Sequence, residues 1–209
     1  MPIALDSAVN GPQGTATSWT WSHTCSGVER ILFVFGHQIS NISGITYNGV
    51  SMTAIGATGD VNLWYLVNPS TGANNIVASG SSAYSRFCSA SYTGVDQVNP
   101  INASAGVSPG TVSTITGTLT TTVADCWLVM GDRGAGTQTA GTNTTARCNP
   151  GGDGQELFVD SNAARAAGSN SVQINGTSGT YYAKVAAIAP TPISLLGNPL
   201  FFRGGFALG

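Results

Sequence analysis

Few residues of this 209-residue chain could do chemistry: nine carboxylates, two histidines and four cysteines. Residues 106–110 match the G-x-S-x-G pattern of a serine hydrolase, but Pro109 follows the serine and has no backbone N–H for an oxyanion hole. A glycosidase needs two carboxyl groups facing one cleft, and the acidic cluster consists of Asp153, Glu156 and Asp160. We interpret Asp153 and Asp160 as turn or cap residues. The sequence therefore predicts a protein that is not an enzyme.

The metal-binding candidates are equally sparse. His23 is expected in a turn, and His37 is expected at the end of a strand with its ring against the core. No further ligands stand at zinc spacing from either histidine, so a zinc site is not predicted. The segment from Asp132 to Asp153 contains Asp and Asn side chains, the oxygen ligands that calcium takes. It lacks the spacing of an EF-hand or of a nonapeptide repeat. We predict a long polar loop and no cofactor, with a structural calcium ion as the open alternative.

The four cysteines show no C-x-x-C spacing, which argues against zinc ribbons and thioredoxin-like chemistry. Cys88 and Cys126 fall in strand-like segments and are candidate buried thiols. Cys25 and Cys148 fall in predicted loops, where they could pair with each other or across subunits. The N-terminus has no signal-peptide pattern, so we expect synthesis in a reducing cytoplasm and free thiols, unless oxidation follows release from the cell.

The composition excludes several classes of protein. Only 8% of the residues are charged, whereas 24 Thr, 22 Ser and 15 Asn must coat the surface with hydroxyls and amides. The scarcity of Lys, Glu and Gln removes the good helix formers, and the abundance of Thr, Val and Ile favours strands. Seven scattered basic residues cannot form the basic stripe of a nucleic-acid partner. The sequence contains no run of about 18 consecutive apolar residues, so it predicts no membrane-spanning helix.

Strand patterns recur about every ten residues, which is typical of a β-sandwich or barrel. Asn48-Gly49 predicts a hairpin, because both turn positions need positive φ. A stretch at residues 161–167 favours one or two helical turns. Residues 131–154 are predicted to form the long polar loop or a loosely ordered surface hairpin. The predicted strands are residues 15–22, 31–37, 61–67, 75–78, 86–92, 111–122, 126–130, 172–174 and 181–188.

We expect a single β-sandwich domain over residues 1–189, followed by an extended Pro/Gly-rich apolar tail over residues 190–209. Large apolar side chains in the tail cost about 1.5–3 kcal/mol each if left in water. The tail either folds back on its own sandwich or docks onto a neighbouring subunit. The candidate assembly contacts are Leu195, Leu196, Leu200, Phe201, Phe202 and Phe206.

Between residues 30 and 99 the motifs stand in a specific order: ILFVFG, ITYNGVSMT, LWYLVNPSTG and TGVDQVNP. This order resembles a jelly-roll-like β-sandwich domain of phage virion proteins and bacterial surface proteins. The resemblance covers about a third of the chain, and its motifs are structural. It implies an all-β fold, an antiparallel jelly-roll-like β-sandwich, and a virion or cell-surface setting without assigning chemistry.

A phage structural protein needs no export signal, so the virion setting fits the N-terminus better than secretion does. The resemblance therefore implies a head decoration (cement) protein or an accessory tail protein. Such a protein is made in the host cytoplasm and placed on the outer surface of the virion. Its expected partners are further copies of itself, as a homotrimer, and a major capsid or other virion protein.

The alternative is a carbohydrate- or receptor-binding module of a phage tail or a bacterial surface. Sugar sites use exposed aromatic faces, although aromatic residues of alternating strands more often lie in the core. The candidate aromatic residues are Trp19, Trp21, Tyr84, Tyr92, Tyr181 and Tyr182.

Overall fold

The computed structural model describes residues 1–37, 42–150 and 155–192, and within these ranges the chain forms thirteen β-strands and no helix. The fold is all-β, with antiparallel sheets packed on each other in the manner of a β-sandwich. The strands are β1 (Ala4–Cys25), β2 (Ile31–His37), β3 (Ile42–Tyr47), β4 (Val50–Ser51), β5 (Thr53–Ala54), β6 (Val61–Val67), β7 (Gly72–Thr93), β8 (Ile101–Thr121), β9 (Trp127–Arg133), β10 (Thr139–Ala140), β11 (Thr145–Cys148), β12 (Glu156–Asp160) and β13 (Gly168–Ile188).

The strands form two sheets. The first has the order β4-β3-β7-β2-β6-β5, and β1 pairs along β7 at its edge. The second has the order β10-β13-β9-β12-β11, and β8 pairs along β13 at its edge. In the first sheet the long strand β7 pairs with β3 over one part of its length and with β2 over another. In the second sheet the long strand β13 pairs in the same way with β10 and β9. We call β2 and β9 core strands.

The two sheets repeat one strand arrangement at a spacing of 96 residues, except that β4 has no counterpart in the second sheet. Cys25 pairs with Gly72 in the first sheet, and Thr121 pairs with Gly168 in the second. The core strands β2 and β9 are likewise 96 residues apart and both contain seven residues. We call residues 1–96 the first repeat and residues 97–192 the second repeat.

Three apolar clusters show how the sheets pack. A central cluster lies between the two repeats and includes Phe33, Phe35, Tyr92, Val129 and Phe158. A second cluster lies within the first repeat and includes Trp21, Leu32, Tyr47, Ile76 and Phe87. A third lies within the second repeat and includes Leu128, Met130, Leu157, Ile174 and Val185. The long strands of each repeat therefore bend back and cover the outer face of its own core strands.

Strands β2 and β6 follow the apolar runs that predict them. β2 and β6 have the predicted bounds, and all seven residues of β2 are buried. The predicted hairpin is confirmed: Asn48 and Gly49 connect β3 to β4 with φ of 48° and 77°. These elements depend on local signals, an apolar run and a turn with positive φ.

The long strands are underestimated by the sequence patterns. Predicted strands at residues 75–78 and 86–92 belong to one strand, β7, and those at residues 172–174 and 181–188 belong to β13. The Gly/Ser-rich stretch at residues 79–85 was expected to be a turn, yet it stays paired with β1 through shifts of register. Bulges of this kind absorb an extra residue and bend the strand without ending it.

Two predictions for the second repeat are wrong. Residues 161–167 form no helix, because Arg165 N donates to Cys126 O at 2.9 Å in an isolated bridge. The alanines at 163, 164, 166 and 167 are exposed, so a helix there would have no apolar face to bury. Within residues 131–150 the chain forms neither one long loop nor a hairpin, since β9 runs to Arg133, β10 pairs with β13 and β11 pairs with β12.

The packing between the two repeats can be tested at a glycine that contacts an aromatic ring of the other repeat. Gly131 lies on β9 under the Phe35 ring, and a Cβ at that position would overlap the ring. We expect Gly131→Ala to lower the free energy of unfolding by about 1–3 kcal/mol in urea denaturation, because a filled core accepts an added methyl group only by shifting.

The matched control is Gly44→Ala on β3, where a Cβ meets no atom within 4 Å. It should change the free energy of unfolding by less than about 0.5 kcal/mol. Equal losses in the two variants would contradict the described contact between the repeats.

Candidate functional site

Several segments that are distant in sequence meet at one end of the sandwich and enclose a groove of about 790 Å³. We call it the end groove. Among the described residues it is lined by Met1, Pro2, Ile3, Asp96, Asn99, Asn102, Val123, Ala124, Asp125, Ala164, Ala189, Pro190, Thr191 and Pro192. This volume falls in the range of about 300–1,000 Å³ that is usual for binding clefts.

The last residues of the two repeats hold the end groove together. Asp96 N donates to Ala189 O at 3.0 Å, and Thr191 N donates to Gly94 O at 2.9 Å. Gly94 has a φ of 72°, and a Cβ there would overlap the carbonyl oxygen of Pro2. A glycine is needed at this point because the backbone is left-handed and the N-terminal residues pass close by.

Exposed apolar side chains concentrate around the end groove. Among the described residues six large hydrophobic side chains are exposed: Met1, Val28, Val50, Tyr84, Val98 and Val123. Met1 and Val123 line the end groove, and Val98, which is 83% exposed, precedes its lining residue Asn99. Val28 precedes Glu29, whose carbonyl accepts from Val95 N at 3.0 Å. Such a concentration marks a binding surface more often than scattered exposed residues do.

The end groove also has a charge. Of its described lining side chains, those of Asp96 and Asp125 are acidic and the others are uncharged. Asp96 Oδ1 accepts from Val98 N at 2.8 Å and from Asn99 N at 3.1 Å, which orders the turn between the repeats. The end groove is therefore mainly apolar, with two carboxylates and the α-amino group of Met1 among its described lining residues.

The end groove was not predicted from the sequence. The turns near residues 94–96 and 99–100 were expected individually, but their convergence with the N-terminus depends on the pairing of the two repeats. The predicted assembly contacts lie outside the described residues: Leu195, Leu196, Leu200, Phe201, Phe202 and Phe206. Pro192, the last described residue before them, lines the end groove.

No protein family, no curated protein and no solved structure matches this chain. In the part of the chain that the structure describes, no helix has the length and apolarity needed to cross a bilayer.

Most candidate sugar-binding aromatics are in the core. Four of the six are buried, with their rings in the apolar clusters: Trp19, Trp21, Tyr92 and Tyr181. Tyr182 is half-buried, and Tyr84 is exposed. The Arg86 guanidinium lies 5.4 Å from the centre of the Tyr84 ring, and Tyr84 OH donates to Gln13 Oε1 at 3.2 Å.

The cysteines differ from the expected free thiols. Cys88 on β7 and Cys148 on β11 form a disulfide with a Cα–Cα distance of 6.1 Å, and the bond joins the two repeats. Cys148 therefore does not pair with Cys25. Cys25 and Cys126 are buried free thiols. Burial, helped by the charge of Asp125, raises the pKa of Cys126 to about 11, so this thiol is protonated and unreactive at neutral pH.

The disulfide gives a direct prediction. Alkylation of the denatured, unreduced chain should modify two thiols, and reduction should raise that number to four in intact-mass measurements. A Cys88→Ser, Cys148→Ser double variant should lose about 3–4 kcal/mol of unfolding free energy, because the cross-link closes a loop of 60 residues.

As a control, Cys25→Ala removes a buried thiol without cutting a cross-link and should cost about 1 kcal/mol. Four alkylated thiols in the denatured, unreduced chain would show that the bond does not form.

His23 belongs to a buried chain of hydrogen bonds in the first repeat. Trp21 Nε1 donates to Ser89 Oγ at 3.1 Å, and Ser89 Oγ lies 2.9 Å from His23 Nδ1. On the other side His23 Nε2 lies 3.0 Å from Ser91 Oγ, which donates to Asp6 Oδ2 at 2.8 Å. Since Ser91 donates to the Asp6 carboxylate, His23 Nε2 carries a proton and donates to Ser91 Oγ. Ser89 Oγ accepts from the indole N–H and keeps its own hydrogen for His23 Nδ1, an arrangement that suits neutral His23.

This environment disfavours a charged imidazole. Burial lowers the pKa of His23 from 6.5 to about 4, although the Asp6 carboxylate acts in the opposite direction. Burial also acts to raise the pKa of Asp6, but hydrogen bonds from Ser26 and Ser91 lower it overall. His23 is therefore a structural core residue rather than a metal ligand or a general base.

Stability should consequently fall in acid. Between pH 6.5 and about 4 the unfolded chain binds a proton at His23 that the folded chain does not, so folding stability is complete above pH 6.5 and declines below it. This group alone accounts for roughly 3 kcal/mol over that window. Urea unfolding at a series of pH values should show a smaller slope for His23→Asn than for the wild type.

The control Thr24→Asn changes an exposed neighbour on β1 and should keep the wild-type slope. Identical slopes for wild type and His23→Asn would mean that His23 titrates normally in the folded protein.

His37, at the end of β2 away from the end groove, lies between carboxylates. Its Nδ1 is 3.1 Å from Glu156 Oε1, and its Nε2 is 3.2 Å from Asp60 Oδ2. Arg86 pairs with Glu156, and Arg133 Nη1 lies 3.4 Å from Asp60 Oδ2. The residues come from both repeats, so the network ties the repeats together at this end.

The predicted acidic cluster is not an acid pair. Asp153 lies outside the described residues. Glu156 and Asp160 stand at opposite ends of β12, about 13 Å apart along the strand. Asp160 accepts hydrogen bonds from Arg147 Nε at 2.7 Å and Tyr92 OH at 2.9 Å. The two carboxylates face different basic partners instead of one cleft.

Two further candidates from the sequence, Asp132 and the G-x-S-x-G residues, lie within strands. Asp132 is fully buried, and burial raises its pKa well above the usual value. It accepts from Gln138 Nε2 at 2.8 Å and from Leu157 N at 3.1 Å. Among the described residues no group of three or more His, Cys, Asp or Glu could hold a metal ion. The G-x-S-x-G residues lie within strand β8, where the serine is exposed and does not stand at a turn into a helix.

Proposed function

We propose that this chain is a non-enzymatic structural protein of a phage virion, a head decoration protein that binds the capsid surface. The observation that carries the proposal is the apolar end of the sandwich. Two of the six exposed hydrophobic side chains, Met1 and Val123, line the end groove, and Val98 precedes its lining residue Asn99. The C-terminal segment of residues 193–209 follows the lining residue Pro192 in the chain. The sequence of that segment contains Leu195, Leu196 and Phe201 among other apolar residues.

The rest of the surface supports an assembly role. The exposed sides of β1 and β8 present hydroxyl groups, including Thr20, Ser22 and Thr24 on β1 and Thr116, Thr118 and Thr120 on β8. Such faces allow subunits to lie side by side with little charge repulsion. We propose a homotrimer on the outer surface of the virion, bound to a major capsid or other virion protein and made in the host cytoplasm. This role includes no cofactor, nucleic acid or membrane.

The finer fold assignment is part of the proposal. We propose that the sandwich is jelly-roll-like, as the resemblance of residues 30–99 implies. Two observations support it: the long antiparallel pairs β1 with β7 and β8 with β13, and the bending of both pairs over a core.

A carbohydrate- or receptor-binding module is the second candidate, and it depends on Tyr84. This ring is exposed beside Arg86 and Gln13, an arrangement that could stack on a sugar and hydrogen-bond to it. The burial of Trp19 and Trp21 leaves the candidate with a smaller aromatic surface than the sequence suggests.

Particle binding tests the proposal. In virions purified from the phage that encodes this chain, a Phe201→Ser, Phe202→Ser variant should be retained about tenfold less than the wild type on immunoblots, since buried aromatic anchors dominate interfaces. Val50→Ser, which changes an exposed apolar residue in the β3–β4 hairpin, should be retained normally.

Immunogold labelling should place the protein on the capsid. Absence of the chain from purified particles would refute the proposal. Saturable binding on a glycan array that is lost in Tyr84→Ala would favour the second candidate in its place.

A further inference from the structure

We propose that the C-terminal segment, residues 193–209, docks in the end groove of its own chain and keeps its apolar side chains out of water until assembly. This inference goes beyond the proposed function, because it concerns the isolated protein and holds or fails without any particle.

Connectivity is the first argument for this occupant. Pro192 lines the end groove, and the C-terminal segment begins at the next residue. An extended chain spans about 3.3 Å per residue, so a few residues suffice to lie along the lining. Attachment at the edge of a site gives a tethered segment an effective concentration of about millimolar, well above that of a second copy in dilute solution.

The apolar character of both partners is the second argument. The lining of the end groove includes Ile3, Val123, Ala124 and Ala164, and Met1 and Val123 are exposed. The segment has six large apolar side chains in the stretch between residues 195 and 206. Contact between the two surfaces removes both from water, which is the dominant favourable term in docking.

Charge is the third argument. Arg203 is the single charged side chain in the segment, and the charged lining side chains among the described residues are those of Asp96 and Asp125. Asp125 lies in the exposed turn between β8 and β9. An arginine docked along the side of Asp96 and Asp125 therefore meets carboxylates.

Docking also has a consequence for assembly. Apolar side chains that lie in the end groove are withheld from other proteins while the protein is free. A capsid surface that offers a larger apolar contact can then draw the segment out, since a binding partner shifts a two-state equilibrium by its differential affinity.

Hydrogen–deuterium exchange on the full chain tests the docking. In the wild type, amides of residues 193–209 should exchange at least about tenfold more slowly than in an unattached peptide of the same sequence. Val123→Lys and Ala164→Lys place a cation in the end groove at exposed positions, and either should return exchange to the rate of the peptide. Val50→Lys, at an exposed position in the β3–β4 hairpin, should leave the protection unchanged.

The measurement is repeated at about 1 µM and about 100 µM protein to identify the occupant. Equal protection at both concentrations supports docking within one chain. Protection that appears only at the higher concentration, with a doubled mass in light scattering, would overturn it in favour of a second copy. Exchange of wild-type residues 193–209 at the rate of the free peptide would exclude docking altogether, whatever the variants do.

Discussion

The burial of strands β2 and β9 on both faces is the constraint on which the rest of the structure depends. All seven residues of β2 are buried, and β9 is buried over all but its last residue. A strand that is apolar on both faces needs a covering layer on each side. Each repeat supplies one layer by bending its long strands over its own core strand, and the other repeat supplies the second layer. Because the arrangement is repeated after 96 residues, both β2 and β9 are covered on both faces by strands of the same chain.

The two ends of the sandwich differ in the side chains that they present. The core strands begin near the end groove, where the last residues of the repeats pair through Asp96 and Ala189. They end at the network of His37, Asp60 and Glu156, where every carboxylate has a basic neighbour. One end is therefore closed by compensated charges between the repeats, whereas the other retains apolar side chains in contact with water. This asymmetry makes the apolar end the natural place for a partner to bind.

The polar side chains inside the protein serve its architecture. His23 hydrogen-bonds to serine hydroxyls, Asp132 accepts from a side-chain amide and a backbone N–H, and Asp160 accepts from Arg147 and Tyr92. Buried groups that are satisfied in this way are fixed in position and have little capacity left for substrates. Several charged side chains of the described residues pair where strands meet, such as Arg86 with Glu156 and Arg147 with Asp160, and hydroxyl groups cover the outer strands.

The sequence by itself determined what depends on neighbouring residues: the all-β class, the apolar strands β2 and β6, and the turn at Asn48-Gly49. Propensity, periodicity and the need for positive φ act over a few residues and can be read from them directly. Only the tertiary structure decided that residues 72–93 form one strand, that Cys88 meets Cys148, and that the N-terminus joins distant turns at the end groove. Those features depend on contacts between residues that lie far apart in the chain, which no local pattern reports. Some equivalent positions of the two repeats keep the same residue, such as Gly72 and Gly168, whereas others share only burial, as Cys25 and Thr121 do, so the repeat became clear only from the strand pairing.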